Sequence, residues 1–436
     1  MEYQRLLEFA ERQDRADPLA HLRAEFHLPK RPGGEEEIYF CGNSLGLQPR
    51  QTRACLLEEL DKWQRLAVKG HFETRHPWMP YHEFLSEPMA ALVGAQPMEV
   101  VMMNSLTVNL HLMMVSFYRP SAERYRILIE EQAFPSDRYA VESQIKFHGF
   151  DPADALCIAR PRAGESCLRR EELAELIERE GASIALILLP GVQYYTGQVL
   201  DMEAITRLGH AQGCLVGFDL AHAAGNVPLQ LHDWGCDFAS WCTYKYLNAG
   251  PGSVAGCFVH ARHATRFDLP RFTGWWGHDK TTRFVMGSDF RPMPGAEGWQ
   301  ISNPPILSLA AIRAALEVFG AASGMAPLRA KSVQLTGYLE FLLQTTLPEQ
   351  IEIITPRDQA ERGCQLSLRV KSGQVDGKAL FERIGAAGVT CDWREPDVIR
   401  AAPVPLYNRF EEVYRFVEVL KTSLQKAPSP PGRELG

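Results

Sequence analysis

The chain has 436 residues, 45% of them hydrophobic, enough to bury a large core divided into two or three structural units. Its 46 Lys plus Arg against 53 Asp plus Glu give a formal charge of -7 with no basic block, which argues against a nucleic-acid partner. No apolar run approaches the ~20 residues that span a bilayer, and the cysteines are scattered without a Cys-x-x-Cys pair, so the expectation is a reduced, cytoplasmic protein without a membrane partner, disulfide scaffold or structural zinc.

From the N-terminus, residues 1–30 set Leu6, Leu7, Phe9, Leu19 and Leu22 among Arg and Glu, a charged amphipathic stretch without the apolar centre of a signal peptide. Asn104-Ser105-Leu106-Thr107 then runs into Val108, Leu110, Leu112 and Val115 at helical spacing. That predicts a helix whose first turn offers free N–H groups and a hydroxyl, either as an ordinary Ser cap or as a seat for an anion. Nearly continuous apolar runs at 126–129, 183–189 and 214–218 read as strands of a parallel sheet covered on both faces. Between the last two, Met202, Ile205 and Leu208 recur at helical spacing over 201–212, the crossover of a βαβ unit. From about 311 the texture changes to one long helical pattern through Leu316 to Leu343, strands at 351–355 and 365–370, and a last helix near Phe410 to Leu424. The expected fold is therefore α/β, with a mostly parallel central sheet in a large domain of residues 75–310 and a smaller α+β domain made of 1–74 plus 311–424. Residues 425–436, with Pro428, Pro430, Pro431 and Gly432, are expected to form a disordered tail.

In an open α/β sheet, ligands bind beyond the carboxyl ends of the strands, so polar residues just after apolar runs are the first candidates. Asp219 ends the run Leu215 to Phe218 and is followed by His222; Lys245 follows Phe238 to Tyr244; Phe134, Pro135, Ser136 and Asp137 come soon after Ile129. Singly, each has a plain structural reading: a strand-end Asp caps the next helix, a Lys sits in solvent, an Asp-x-x-His pair bonds locally. Together they point to one chemistry. A Lys among aromatic and apolar neighbours is partly desolvated, which makes its amine a usable nucleophile toward an aldehyde. An Asp about one crossover away can hold a pyridinium nitrogen protonated, the partner that pyridoxal 5'-phosphate (PLP) needs as an electron sink. No P-loop, Gly-x-Gly-x-x-Gly or His-Glu-x-x-His sequence competes, so neither the common nucleotide sites nor a metal is expected.

Longer segments carry a resemblance to one family. Tyr39 to Leu47, Ala133 to Asp137, Gly217 to His222, Tyr244 to Asn248, Ile301 to Pro305 and Ile399 to Asn408 resemble kynureninase, in that order along residues 38–424. The resemblance implies a fold-type-I PLP enzyme that acts on a small amino-acid substrate as a homodimer, with active sites near the subunit interface. It implies that Lys245 carries the cofactor as a Schiff base, that Asp219 pairs with the pyridine nitrogen and that Phe134 stacks on the ring. Asp137 and His222 complete the polar surround, and Pro135 and Ser136 belong to the same cofactor site. Leu106, Thr107 and Tyr244 match phosphate-binding positions, and Trp275 and Asn303 match others that line the cofactor. Arg400 clamps the substrate α-carboxylate, and Trp276 joins the substrate-binding set, with core packing as the alternative for both tryptophans. Pro190 stands where some family members carry Ser, which removes or replaces a side-chain contact.

The implied reaction is hydrolytic cleavage of the Cβ–Cγ bond of L-kynurenine or 3-hydroxy-L-kynurenine, giving L-alanine plus anthranilate or 3-hydroxyanthranilate, in tryptophan catabolism and NAD precursor synthesis. Lys245 takes and returns the Cα proton, and Tyr244 is either the proton donor or a phosphate ligand. His71, Ser302 and Asn303 resemble the branch that favours the 3-hydroxy substrate. Two other readings stay open. One is a cysteine desulfurase or selenocysteine lyase, which needs a mobile nucleophilic Cys, with Cys364 and Cys391 as candidates; the other is a non-catalytic PLP-binding protein.

Overall fold

The computed structural model describes residues 2–371 and 376–425. Seven strands form its central sheet: β1 (Val100–Met102), β2 (Arg126–Glu130), β3 (Leu156–Ala159), β4 (Ile184–Pro190), β5 (Leu215–Asp219), β6 (Phe238–Trp241) and β7 (Gly256–Val259). Their spatial order is β1-β7-β6-β5-β4-β2-β3. β2 to β6 run parallel to one another, whereas β7 pairs antiparallel with both β6 and β1. Continuous apolar sequence in β4 and β5 follows from burial on both faces. The three sequence-predicted strands are present within a few residues of their expected ends, and the crossover helix is Met202–Ala211, capped by Asp201, whose side chain accepts the Ala204 N–H.

Three main hydrophobic cores sit against this frame, one of which packs the helix Leu106–Phe117 on the central sheet through Leu110, Met113, Ile127 and Phe238; the other two reach further. One packs the sheet against the helix Ile306–Ala321 through Leu309, Ile312 and Leu316 and extends to Leu22 and Phe26 near the N-terminus. The other surrounds a four-stranded antiparallel sheet of β8 (Ile351–Ile353), β9 (Leu366–Val370), β10 (Asp392–Arg394) and β11 (Val398–Ala401), ordered β10-β11-β9-β8. Leu335, Leu339 and Leu342 of helix Met325–Thr346, Phe416 and Leu420 of the last helix, and Phe9 fill it.

The long helical pattern through Leu316 to Leu343 is two helices, Ile306–Ala321 and Met325–Thr346, meeting at 77°. Ser323 and Gly324, at φ of +59° and +85°, end the first helix in left-handed backbone. Apolar spacing continues across the break because each helix faces a core, the first that of the large sheet and the second mainly that of the small one. No single helix among the described residues is long and apolar enough to cross a membrane. The last helix ends at Gln425, and the rest of the expected tail, 426–436, lies outside the described residues.

Candidate active site

The carboxyl ends of β2, β4 and β5 and the segment after β6 open onto one cavity of about 250 Å³. Its walls bring together Leu106 and Thr107, Phe134, Ser136 and Asp137, Asp219 and His222, and Tyr244 and Lys245. Asp219 closes β5, and its Oδ1 accepts the Ala221 N–H at 2.7 Å, a local turn that fixes the carboxylate at the strand mouth. After β6, the Ala249 N–H bonds the Thr243 carbonyl and the Asn248 N–H bonds the Lys245 carbonyl, each at 3.0 Å, with Asn248 at φ of +58°. This tight turn presents the Lys245 amine, whose Nζ lies 3.0 Å from His222 Nε2 and 5.9 Å from the centre of the Phe134 ring. Beneath it runs the segment 41–46. The Gly46 N–H donates to the Tyr244 carbonyl at 2.8 Å, and a Cβ on Gly46 would stand 2.3 Å from the Lys245 carbonyl oxygen.

Burial decides the protonation of these groups. It holds His222 well below the usual imidazole range, with the Lys245 charge adding to the effect. The neutral ring then accepts a Lys245 N–H at Nε2, which assigns its own proton to Nδ1, an atom without a hydrogen-bond partner. Burial, and then the charge of Asp219, push the Asp137 carboxyl well above the usual range, and its Oδ1 also lacks a partner. Tyr244 is raised mainly by burial, so its hydroxyl keeps its proton.

Two helix N-termini meet at one end of the cavity. Thr107, in the first turn of Leu106–Phe117, and Ser136, in the first turn of Pro135–Phe147, bring their hydroxyls within 2.8 Å. The first N–H groups of a helix have no acceptor within it, and two such turns side by side form an anion seat. With the flat Phe134 ring facing Lys245, and Asp137 Oδ1 and His222 Nδ1 buried without partners, the residues present fit PLP. Pro190 closes β4 and lines the same wall.

Other sequence-predicted residues do not line this cavity within the chain. Pro135 sits at the start of its helix, behind Phe134. Trp275 is 43% exposed and donates its indole N–H to the Arg283 carbonyl at 3.0 Å, while Trp276 is buried under the Arg283 guanidinium. Ser302 and Asn303 are exposed, just before an open groove walled by Pro305, Ile306 and Leu307 on one side and Trp63 and Trp78 on the other. His71 packs edge-on against Trp78 at 5.1 Å. Arg400 is fully buried behind Tyr194, donating from Nη1 to the Tyr194 carbonyl at 2.8 Å and from Nε to Asp392 at 3.1 Å.

Glu130 and Tyr194 line the cavity and were not singled out from sequence. Glu130 ends β2 just as Asp219 ends β5, so the strand-end rule pointed to it as well. Gln193 ties it to the next loop: its Nε2 donates to Glu130 Oε1 at 3.3 Å and to the Gln132 carbonyl at 3.0 Å, while its Oε1 accepts the Tyr195 and Thr196 N–H groups at 2.6 and 2.7 Å. Beyond that loop the second sheet is held by polar bonds, from Gln365 to the Tyr194 carbonyl, Ser367 to the Tyr195 carbonyl and Thr355 to the Thr196 carbonyl. Asn43 completes the run by donating to Gln365 at 3.0 Å.

Cys364 and Cys391 are both buried, and burial pushes the Cys364 thiol up to about 12 and the Cys391 thiol up as well, so neither is poised as a nucleophile. In comparisons with known proteins, the profile of the kynureninase C-terminal domain matches residues 328–420. The kynureninase of Koribacter versatilis is 60% identical over 410 residues, covering 94% of this chain and 96% of its own. That of Myxococcus xanthus is 59% identical over 414 residues, covering 95% and 96%. Among solved structures, an apo cysteine desulfurase from Thermococcus onnurineus superimposes with a TM-score of 0.75 at 16% identity, covering 93% of this chain and 98% of its own, a likeness of fold alone.

Proposed function

The chain belongs to the kynureninase family, and on that premise we infer that it is a PLP-dependent hydrolase. It cleaves the Cβ–Cγ bond of a kynurenine to give L-alanine and the corresponding anthranilate. The observation that carries this reading is the convergence of Lys245, Asp219, Phe134 and two helix N-termini on one cavity. When bound, PLP supplies an aldehyde that combines with an amine and a conjugated ring that stores an electron pair.

Side chains perform the remaining tasks. Asp219, fixed by the Ala221 N–H, would hold the ring nitrogen of the bound group, where a carboxylate favours the protonated form. Phe134, with Tyr194 packed edge-on against it at 5.3 Å, would offer a flat face to the ring. Thr107, Ser136 and the N–H groups of their helix turns would hold the phosphate. The Lys245 amine, oriented by neutral His222, removes the substrate Cα proton and later returns it. Tyr244, kept protonated by burial, donates a proton to Cβ as the bond to the carbonyl carbon breaks; water supplies the oxygen of the new carboxylate, one of its protons restoring the Tyr244 hydroxyl and the other leaving to solvent. Arg400 receives the α-carboxylate of the substrate. Absorbance of the PLP-loaded protein, borohydride reduction and peptide mapping test the centre of this scheme. A pyridoxyl label on a lysine other than Lys245, or no turnover of either kynurenine, would overturn it.

Asn303, with Ser302 and His71, is read as the selector of the ring hydroxyl, because an amide left without that partner discriminates against the unhydroxylated ring. A higher kcat/KM for L-kynurenine than for its 3-hydroxy derivative would refute this. These residues, with Trp275, reach the reaction from a second copy of the chain. The supporting observation is the exposed apolar face around their groove, where Trp63, Val68 and Phe72 are 62%, 71% and 65% exposed. Sedimentation should show a dimer that Trp63→Glu weakens together with activity; an active monomer would refute it. The free, mostly buried thiols suit a reducing cytoplasm.

A further inference from the structure

β10 and β11 pair antiparallel with Asp392 directly opposite Arg400. Side chains in that relation are neighbours, and here they close on each other. Arg400 Nε donates to Asp392 Oδ1 at 3.1 Å, and Nη2 stands 2.9 Å from Oδ2. Arg394 is two residues further along β10, hence on the same face, and grips the same carboxylate: its Nε lies 3.1 Å from Oδ1 and its Nη2 donates to Oδ2 at 3.2 Å. One carboxylate thus lies between two guanidinium groups, and the trio retains one positive charge.

That charge bears on the cavity. Arg400 is anchored to the Tyr194 carbonyl, the Tyr194 ring lines the cavity wall, and both guanidinium groups add to the neutrality of His222. A guanidinium has five N–H donors, of which hydrogen bonds to Asp392 and Tyr194 engage Nε and Nη1. Asp392 Oδ2, 2.9 Å from Nη2, faces one of its N–H groups as well, so one N–H on each of Nη1 and Nη2 remains for a second carboxylate. We propose that Asp392, braced by Arg394, is a positioning residue that fixes the direction of the Arg400 guanidinium behind Tyr194 and so sets its affinity for the substrate α-carboxylate. The proposal rests on the reading of Arg400 as the group that receives that carboxylate.

Positioning and simple attraction predict opposite outcomes for Asp392→Asn. Removal of the carboxylate raises the surplus charge, which by attraction alone would tighten carboxylate binding; loss of the brace weakens it. The PLP-loaded wild type and variant are compared for KM and kcat with both kynurenines, and for inhibition by anthranilate, which lacks the amino-acid carboxylate. KM is expected to rise ~10-fold or more, in keeping with the loss of an oriented charge-assisted bond, with a smaller change in kcat and an unchanged anthranilate inhibition constant. An unchanged or lower KM would overturn the proposal, as would equal weakening of anthranilate. Asp392→Glu keeps the charge and alters the reach, and serves if the Asn variant does not hold its fold. A raised KM at wild-type melting temperature supports positioning, and a wild-type KM contradicts it. Absence of turnover in the wild type would remove both this proposal and the functional reading, whereas turnover with a KM indifferent to Asp392 removes the proposal alone.

Discussion

Glu130→Gln is expected to stabilise the protein near neutral pH and to do little in acid. Burial first, and the Asp219 charge in addition, push the Glu130 carboxyl from 4.5 up to about 8, against the hydrogen bond from Gln193. Between those two values the folded protein holds one proton more at this site than the unfolded chain does. Linkage then makes stability fall as pH rises through the window, by ~1.4 kcal/mol per unit, with no dependence from this group below or above it. By about pH 7 the loss amounts to ~3 kcal/mol, and by about pH 5 to less than ~1 kcal/mol. A glutamine keeps an acceptor for Gln193 Nε2 and cannot ionise, so it removes that loss. Any cost of burying the new amide is the same at both pH values, which makes the difference between them the quantity to measure. Urea unfolding of the apo-protein at the two pH values supplies it. An equal effect of the substitution at both would show that Glu130 is ionised in the folded state and would refute the reasoning.

Gly46→Ala should lower kcat/KM ~100-fold, the scale on which a misplacement of about 1 Å acts, because the new Cβ must push the Lys245 carbonyl from 2.3 Å; normal activity would show that the turn yields freely. Tyr244→Phe should cut kcat ~100-fold or more, as loss of a general acid does, with PLP retained in gel filtration; PLP loss at unchanged kcat would assign the hydroxyl to the phosphate instead. Asp237 is buried among His210, Arg262, His263 and the Val216 N–H, which together hold its carboxyl below the usual range against burial. Its stabilising effect is therefore complete above the unfolded value of 3.8 and is lost as pH falls through the lower folded value. Asp237→Asn should destabilise the protein by ~3 kcal/mol at neutral pH, with the deficit shrinking in acid; a deficit that grows in acid would contradict that sign.

The large sheet was legible where strands are long and buried on both faces, as in Ile184–Pro190 and Leu215–Asp219. β1 and β7 were not, because three apolar residues apiece, near Asn104 and Gly256, carry no period of their own and are defined by the antiparallel pairing of the two strands. The helix break at 322–324 was hidden because apolar spacing records which side is buried and not which core it faces. In the site, Asp219, His222 and Lys245 could be read because each follows an apolar run. Glu130 had the same placement, yet its proton depends on burial and on Asp219, which only the folded chain brings near. Asp392 and Arg400 are eight residues apart with no helical or strand relation in the sequence, and only the register of β10 and β11 sets them face to face.

The junction between the Gln193 loop and the second sheet is made largely of amides, hydroxyls and carbonyls, with Asn43, Gln365, Ser367 and Thr355 on one side and the backbone of residues 194–196 on the other. Such bonds are short and directional, so they hold the two cores in one alignment and not in a range of sliding ones. They also differ from an apolar contact in what separation exposes. Groups that part here are rehydrated by water bonds of nearly the same strength, and little hydrocarbon is uncovered. The seam therefore works as a jig: it sets the side of the cavity that carries the lysine against the sheet that carries the arginine while contributing little to the heat-capacity change of unfolding.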